Sequence, residues 1–150
     1  MIYGLYPNQR LKKSILLKPV LSVHSKIIFI KRIYKGQGIS YGRTFIAKKN
    51  MTVATVPIGY SDGYFRSFSN EADVLVGGRR CSVLGRVTMD QIIVDVTKVK
   101  SARLGDEVVV LGRQGKEEVT ADQLAELTDT INYEIVCSLG NRLPRVYKNY

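Results

Sequence analysis

The sequence predicts a mainly β domain, barrel- or sandwich-like, with one or two short helices near the C-terminus. Three observations carry that expectation. At least seven short segments rich in β-branched residues are separated by closely spaced turn signals. The strand–helix–strand pattern of a parallel α/β sheet is missing. Helical spacing of apolar residues begins only after Thr120. The length of 150 residues, with 45% hydrophobic and 24% charged, suits one globular domain and excludes a disordered or collagen-like chain.

In chain order, residues 1–14 read as a connector, with a turn signal at Pro7-Asn8 and a polar run at Lys12-Lys13-Ser14. The opening Met1-Ile2-Tyr3-Gly4-Leu5-Tyr6 looks like the tail of an element begun elsewhere. Residues 15–150 read as the domain proper. Alternation from Leu16 to Tyr34 predicts one long, half-buried strand. Lys35-Gly36-Gln37-Gly38 is a turn, and Ile39 to Phe45 returns to extended chain. Met51 to Ile58 is an apolar strand, with Pro57 near its end or on an edge. Gly59 to Tyr64 is a loop. Gly77-Gly78 between Val74-Leu75-Val76 and Cys81-Ser82-Val83-Leu84 predicts a hairpin. Gln91 to Val96 and Glu107 to Leu111 are strands, and Gly112-Arg113-Gln114-Gly115 is a turn. Thr120 with Gln123 three residues later forms a capping box, and Leu124, Leu127, Ile131 and Ile135 suit a short helix or helix pair. Asn141 to Arg145 ends it, with room for one last short strand.

Composition narrows the chemistry. Cys81 and Cys137 stand apart, and His24 is the one histidine, so no zinc-ligand set is expected. His24 lies in an apolar-rich segment without a GxSxG elbow, which disfavours triad hydrolysis. Free thiols and the lack of a signal-peptide pattern suit a reducing, cytoplasmic compartment. No apolar run approaches the ~20 residues of a membrane span. The net charge of +10 raises nucleic acid as a partner. The basic clusters are short and scattered, so a solvated surface, or steering of an anionic ligand, is the stronger reading. Tyrosine is normally a packing residue, but nine of them beside a single histidine raise the question of whether one phenol is an acid or base.

Three segments concentrate small and polar residues: Ser40-Tyr41-Gly42, Pro57-Ile58-Gly59-Tyr60-Ser61-Asp62-Gly63 and Gly85-Arg86-Val87-Thr88-Met89-Asp90-Gln91. Singly, each reads as scaffold: a strand aromatic, loop glycines, a methionine filling a gap. In order, and followed by Gly112-Arg113-Gln114-Gly115, Thr130-Ile131-Asn132-Tyr133-Glu134 and Arg142-Leu143-Pro144-Arg145, they resemble the C-terminal β-domain of alanine racemase.

That resemblance implies a pyridoxal 5'-phosphate enzyme interconverting L- and D-alanine. In the family an N-terminal α/β barrel, absent from this chain, holds the cofactor and its lysine. Racemisation needs a base on each face of Cα, and Tyr41 matches the tyrosine that serves the L-alanine face. Met89 matches the residue lining the substrate carboxylate site, with Asp90 fixing its loop. Tyr133 matches a tyrosine that hydrogen-bonds the cofactor phosphate. Tyr60, Arg66, Arg86 and Ile131 match residues of the substrate access channel. Because the matching tyrosine and methionine reach the other subunit's active site, a head-to-tail homodimer is implied. Arg43, two residues from Tyr41, would share its face in extended chain and could assist its ionisation. Two alternatives remain: a catalytically silent β-module for dimerisation or binding, and part of a racemase for another small amino acid such as serine.

Overall fold

A computed structural model describes residues 3–7 and 16–148. The expected features within Met1-Ile2 and Asn8–Ser14, including most of the connector, lie outside the described residues. Ten strands and two helices follow one another as β1 (Val23–Lys26), β2 (Phe29–Ile33), β3 (Gly38–Ile39), β4 (Phe45–Ile46), β5 (Met51–Val56), β6 (Asp73–Val76), β7 (Arg79–Ser82), β8 (Ile92–Asp95), β9 (Glu107–Gln114), β10 (Glu117–Val119), α1 (Ala121–Glu126) and α2 (Asn132–Cys137). The domain is mainly β, as the sequence predicts. Its strands form antiparallel sheets of five, three and two strands, not a closed barrel. The larger sheet runs β1-β9-β6-β7 with β10 added to β9, and the second runs β2-β5-β8. Val74 and Val76 from the first sheet and Ala54, Val56 and Val94 from the second bury into one core, the sandwich-like feature of the fold.

The long strand expected from Leu16 to Tyr34 is two strands in different sheets. Residues 16–22 are irregular, and the ladder changes partner at Ile27. The Ile27 amide donates to the Asp106 carbonyl at 2.9 Å, and its carbonyl accepts from the Gly105 amide at 2.8 Å. The next amide, Ile28, already donates to Thr55 across the second sheet. Alternation continues through this crossing because both strands have a buried face, so periodicity alone hides it.

Gly77-Gly78 makes the expected hairpin turn, with φ of 57° and 70° and Val76 paired to Arg79. Pro57 follows directly after β5. Gly112 is not in a turn: β9 runs through it to Gln114 and pairs it with Val119, and the chain reverses at Gly115-Lys116. The capping box forms as expected, with the Gln123 amide donating to Thr120 Oγ1 at 3.1 Å and the Thr120 amide to Gln123 Oε1 at 3.0 Å. No strand forms at residues 144–148. Among the described residues no helix is long and apolar enough to cross a membrane.

Candidate functional site

Ile39 to Phe45 is not continuous extended chain. Between β3 and β4 the backbone turns through a 3-10 segment, Tyr41–Arg43. Its flanks are conformationally costly. Ser40 has φ 60° and ψ −175°, a region occupied almost solely by glycine, and Arg43 has φ 48°. Each such residue costs ~1–3 kcal/mol and persists only where its surroundings hold it. Here the Ser40 hydroxyl donates to the Arg86 carbonyl at 2.7 Å. Gly85 faces the same point: a Cβ there would lie 2.7 Å from the Ile39 carbonyl oxygen and 2.9 Å from Ser40 Cβ. Asn70 spans the gap, accepting from the Gly85 amide at 2.6 Å and donating to Thr44 Oγ1 at 3.4 Å.

This bracing leaves the Tyr41 side chain 73% exposed. The turn also separates Tyr41 from Arg43, so their expected common face is lost. Arg43 folds back over β3, against Gly38, and Nη2 reaches the Gly36 carbonyl at 3.5 Å. The cation alongside the turn is Arg86, whose Nε would lie 3.5 Å from a Cβ at Gly42.

The second motif packs against the third. A 3-10 turn at Tyr60–Asp62 sends the Tyr60 amide to the Thr88 carbonyl and the Ser61 amide to the Met89 carbonyl, both at 3.0 Å. Ser61 Oγ donates to the Met89 carbonyl at 2.8 Å and to Asp90 Oδ1 at 3.1 Å. Met89 stays 54% exposed. Arg66 opens the next turn, Arg66–Phe68, whose end is fixed by the Ser69 hydroxyl donating to the Arg66 carbonyl. The same hydroxyl accepts from the Val87 amide at 2.9 Å. The turns that carry Tyr41, Tyr60 and Arg66 are thus each hydrogen-bonded to the Arg86–Asp90 segment.

Tyr133 and Ile131 stand elsewhere. Ile131 is the exposed N-cap of α2. Tyr133 is half-buried, and its hydroxyl donates to the Leu5 carbonyl at a long 3.4 Å. Neighbouring Asn132 is buried and donates to the Tyr6 carbonyl and to Asp122. No hydrogen bond, ion pair or ring contact among the described residues joins Tyr133 to Tyr41.

Sequence reasoning missed one feature. Asp62 is fully buried, and Arg142 holds it through two contacts, Nε to Oδ1 at 2.6 Å and Nη2 to Oδ2 at 2.5 Å. Both residues sit in recognised motifs, but they stand 80 positions apart, which leaves no local signal of the pairing. Other groups separate from the site. Tyr64 is buried against Phe68 with ring centroids 4.8 Å apart. Burial, aided by the charge of Asp73, raises its pKa far above the ordinary phenol value, so it is a packing residue. His24 lies on β1, between Glu107 Oε1 at 3.0 Å and Ser22 Oγ at 2.8 Å. No cluster of metal-ligating side chains occurs among the described residues.

Comparison with known proteins agrees with these motifs. The family model "Alanine racemase, C-terminal domain" matches residues 20–147. The chain is 50% identical over 149 residues to the alanine racemase of Halothermothrix orenii, covering 99% of this chain and 39% of that protein. The alanine racemase of Bacillus anthracis with bound L-Ala-P superposes with a TM-score of 0.93 at 41% identity, covering 99% of this chain and 38% of that one. The Bartonella henselae enzyme with covalently bound pyridoxal phosphate superposes at 0.89 and 32% identity, covering 98% and 40%. The chain thus spans about 39% of the length of the curated relatives it matches.

Proposed function

From the premise that the chain belongs to the alanine racemase C-terminal domain family, we propose that it supplies the L-face acid/base, Tyr41, to the active site of an alanine racemase. Residues 15–150 form that C-terminal domain, and residues 1–14 lead into it from an N-terminal barrel outside this chain. The single observation carrying the reading is the braced, exposed tyrosine. A turn flanked by Ser40 at φ 60° and Arg43 at φ 48° keeps an aromatic side chain in the open. Strain of this kind is retained where it serves a site.

Pyridoxal phosphate, when bound, supplies the electron sink that makes the substrate Cα–H acidic. The residues of this chain do the rest of their part as follows. The Tyr41 hydroxyl gives or takes the Cα proton on the L-alanine face. Arg86 stands beside the turn that carries Tyr41. Met89 lines the substrate carboxylate site, and Asp90, through Ser61, holds that loop. Tyr60, Arg66, Arg86 and Ile131 line the access channel, where the arginines attract a carboxylate. The Tyr133 hydroxyl, whose one hydrogen bond among the described residues is the long one to Leu5, is the group that would meet a phosphate oxygen. The family resemblance implies a head-to-tail homodimer in which one copy of the domain serves two active sites. Alone, the domain contributes residues without completing a site.

The test is Tyr41→Phe in the intact protein. A well-placed general acid/base contributes ~10²–10⁴-fold, so racemisation falls by that order in both directions. Exchange of the D-alanine Cα proton with solvent continues on the opposite face. Undiminished racemisation of L-alanine by this variant would refute the assignment.

A further inference from the structure

We propose that Asp62 and Arg142 are positioning residues that set where Tyr60 and Met89 stand, and so govern substrate capture without touching substrate. The inference rests on the racemase reading above and goes beyond it.

The Asp62 carboxylate has no exposed surface. Oδ2 accepts from the Gly59 amide at 3.0 Å, closing the Tyr60–Asp62 turn. Both oxygens accept from Arg142, which arrives from the segment after α2. The Asp62 carbonyl accepts from the Gly140 amide at 3.1 Å, and Ser138 Oγ donates to the Gly63 carbonyl at 3.2 Å. Arg145 binds the carbonyls of Leu139, Gly140 and Leu143, fixing that segment in turn. Contact is close throughout: a Cβ at Gly63 would lie 2.2 Å from the Ser138 carbonyl oxygen.

One more step reaches the site. The turn that Asp62 closes places the Tyr60 and Ser61 amides on the Thr88 and Met89 carbonyls. The mechanical path is therefore Arg142, Asp62, the Gly59–Ser61 backbone, then Met89. Its other end is α2, the helix of Tyr133, so the pair joins the two groups of site residues. A bidentate guanidinium–carboxylate contact fixes direction as well as distance, which suits a positioning role. Loss of the arginine leaves a buried carboxylate without its counter-charge, which strains the turn that Asp62 closes.

The experiment uses the intact protein with Arg142→Ala, Arg142→Lys and Asp62→Asn. Kinetics are measured with both alanine enantiomers, and amide hydrogen exchange is followed at Tyr60 and Ser61. In Arg142→Ala, KM rises about tenfold for L- and D-alanine alike, while kcat and its pH profile hold. Exchange at Tyr60 and Ser61 accelerates by a similar factor. Arg142→Lys, which keeps the charge, recovers part of both effects. Unchanged exchange and KM in Arg142→Ala would overturn the proposal, as would a shifted kcat pH profile or a lysine variant no better than alanine. If Arg142→Ala does not fold, Arg142→Lys and Asp62→Asn decide by the same two readouts. Failure of the wild-type protein to racemise would sink the racemase reading alone, because the exchange readout does not depend on activity.

Discussion

Gly59 provides a steric test of the site's architecture. Its backbone is extended, at φ −155° and ψ −164°, so alanine can adopt it without strain. The difficulty is space. A Cβ would lie 2.3 Å from the carbonyl oxygens of both Thr88 and Met89. Ordinary contact begins at 3.4 Å, so the two segments must part by about 1 Å. The bonds from the Tyr60 and Ser61 amides, both 3.0 Å long, then exceed hydrogen-bonding range. Two backbone bonds, with partly buried groups left unpaired, cost about 2–4 kcal/mol. That corresponds to a fall in Tm of about 5–15 °C for a chain of this size. On the proposed reading, in which Met89 lines the carboxylate site, a displacement of this size lowers kcat/KM of the intact protein by ~10²-fold. Gly105→Ala is the control: its φ is +86° with no atom within 4 Å of an added Cβ, so it has conformational strain without a steric route to the site. The assays are thermal unfolding of the chain and racemisation by the intact protein. A Gly59→Ala variant with Tm within 2 °C and kcat/KM within twofold of the parent would refute the packing argument.

Thiol labelling and acid stability give two further checks. Burial, then the charges of Asp95 and Asp73, push the Cys81 thiol up to about 11, whereas Cys137 is exposed. Alkylation of the folded chain near pH 8 should mark Cys137 alone, and adduct on Cys81 before unfolding would contradict the burial. The hydrogen bond from Gln114, followed by the contact with His24, holds the Glu107 carboxyl below its ordinary value. A lowered folded-state pKa stabilises above the unfolded-state value, and that stabilisation disappears as pH falls through the folded-state value. Glu107→Gln should therefore lower stability at neutral pH toward its acid value, leave the acid end nearly unchanged, and so flatten the acid limb of the stability curve. An acid limb identical to the parent's would count against this contribution.

How far the sequence could be read depended on the separation of interacting groups. The Gly77-Gly78 hairpin and the Thr120–Gln123 capping box form within four residues, so their residue types suffice. The break at Ile27 is different. Its partners are the turn ending at Asp106 and the strand β5, and neither leaves a mark in the alternation around Ile27. The same limit explains Gly112. Glycine and arginine there read as a turn, yet pairing with Val119 carries β9 past them. Strand pairing outweighs local propensity when both flanks are buried or hydrogen-bonded.

At the candidate site the limit is sharper, because the backbone there breaks local rules. A serine at φ 60° is a poor guess from sequence, since the region it occupies belongs to glycine. Ser40 is held there by the carbonyl of Arg86 and by the space Gly85 leaves, both 45 or more positions away. Reading that stretch as extended puts Arg43 beside Tyr41 and gives Arg86 only a place in the access channel. The folded turn makes Arg86 the nearby cation and leaves the phenol exposed. Nine tyrosines are equivalent in composition, but burial divides Tyr64, at 3% exposure, from Tyr41, at 73%. A phenol can exchange a proton with a ligand only if it reaches one. The backbone strain at Ser40 and Arg43 is thus the physical counterpart of the motif, and it connects the order of residues in the sequence to a phenol held in the open.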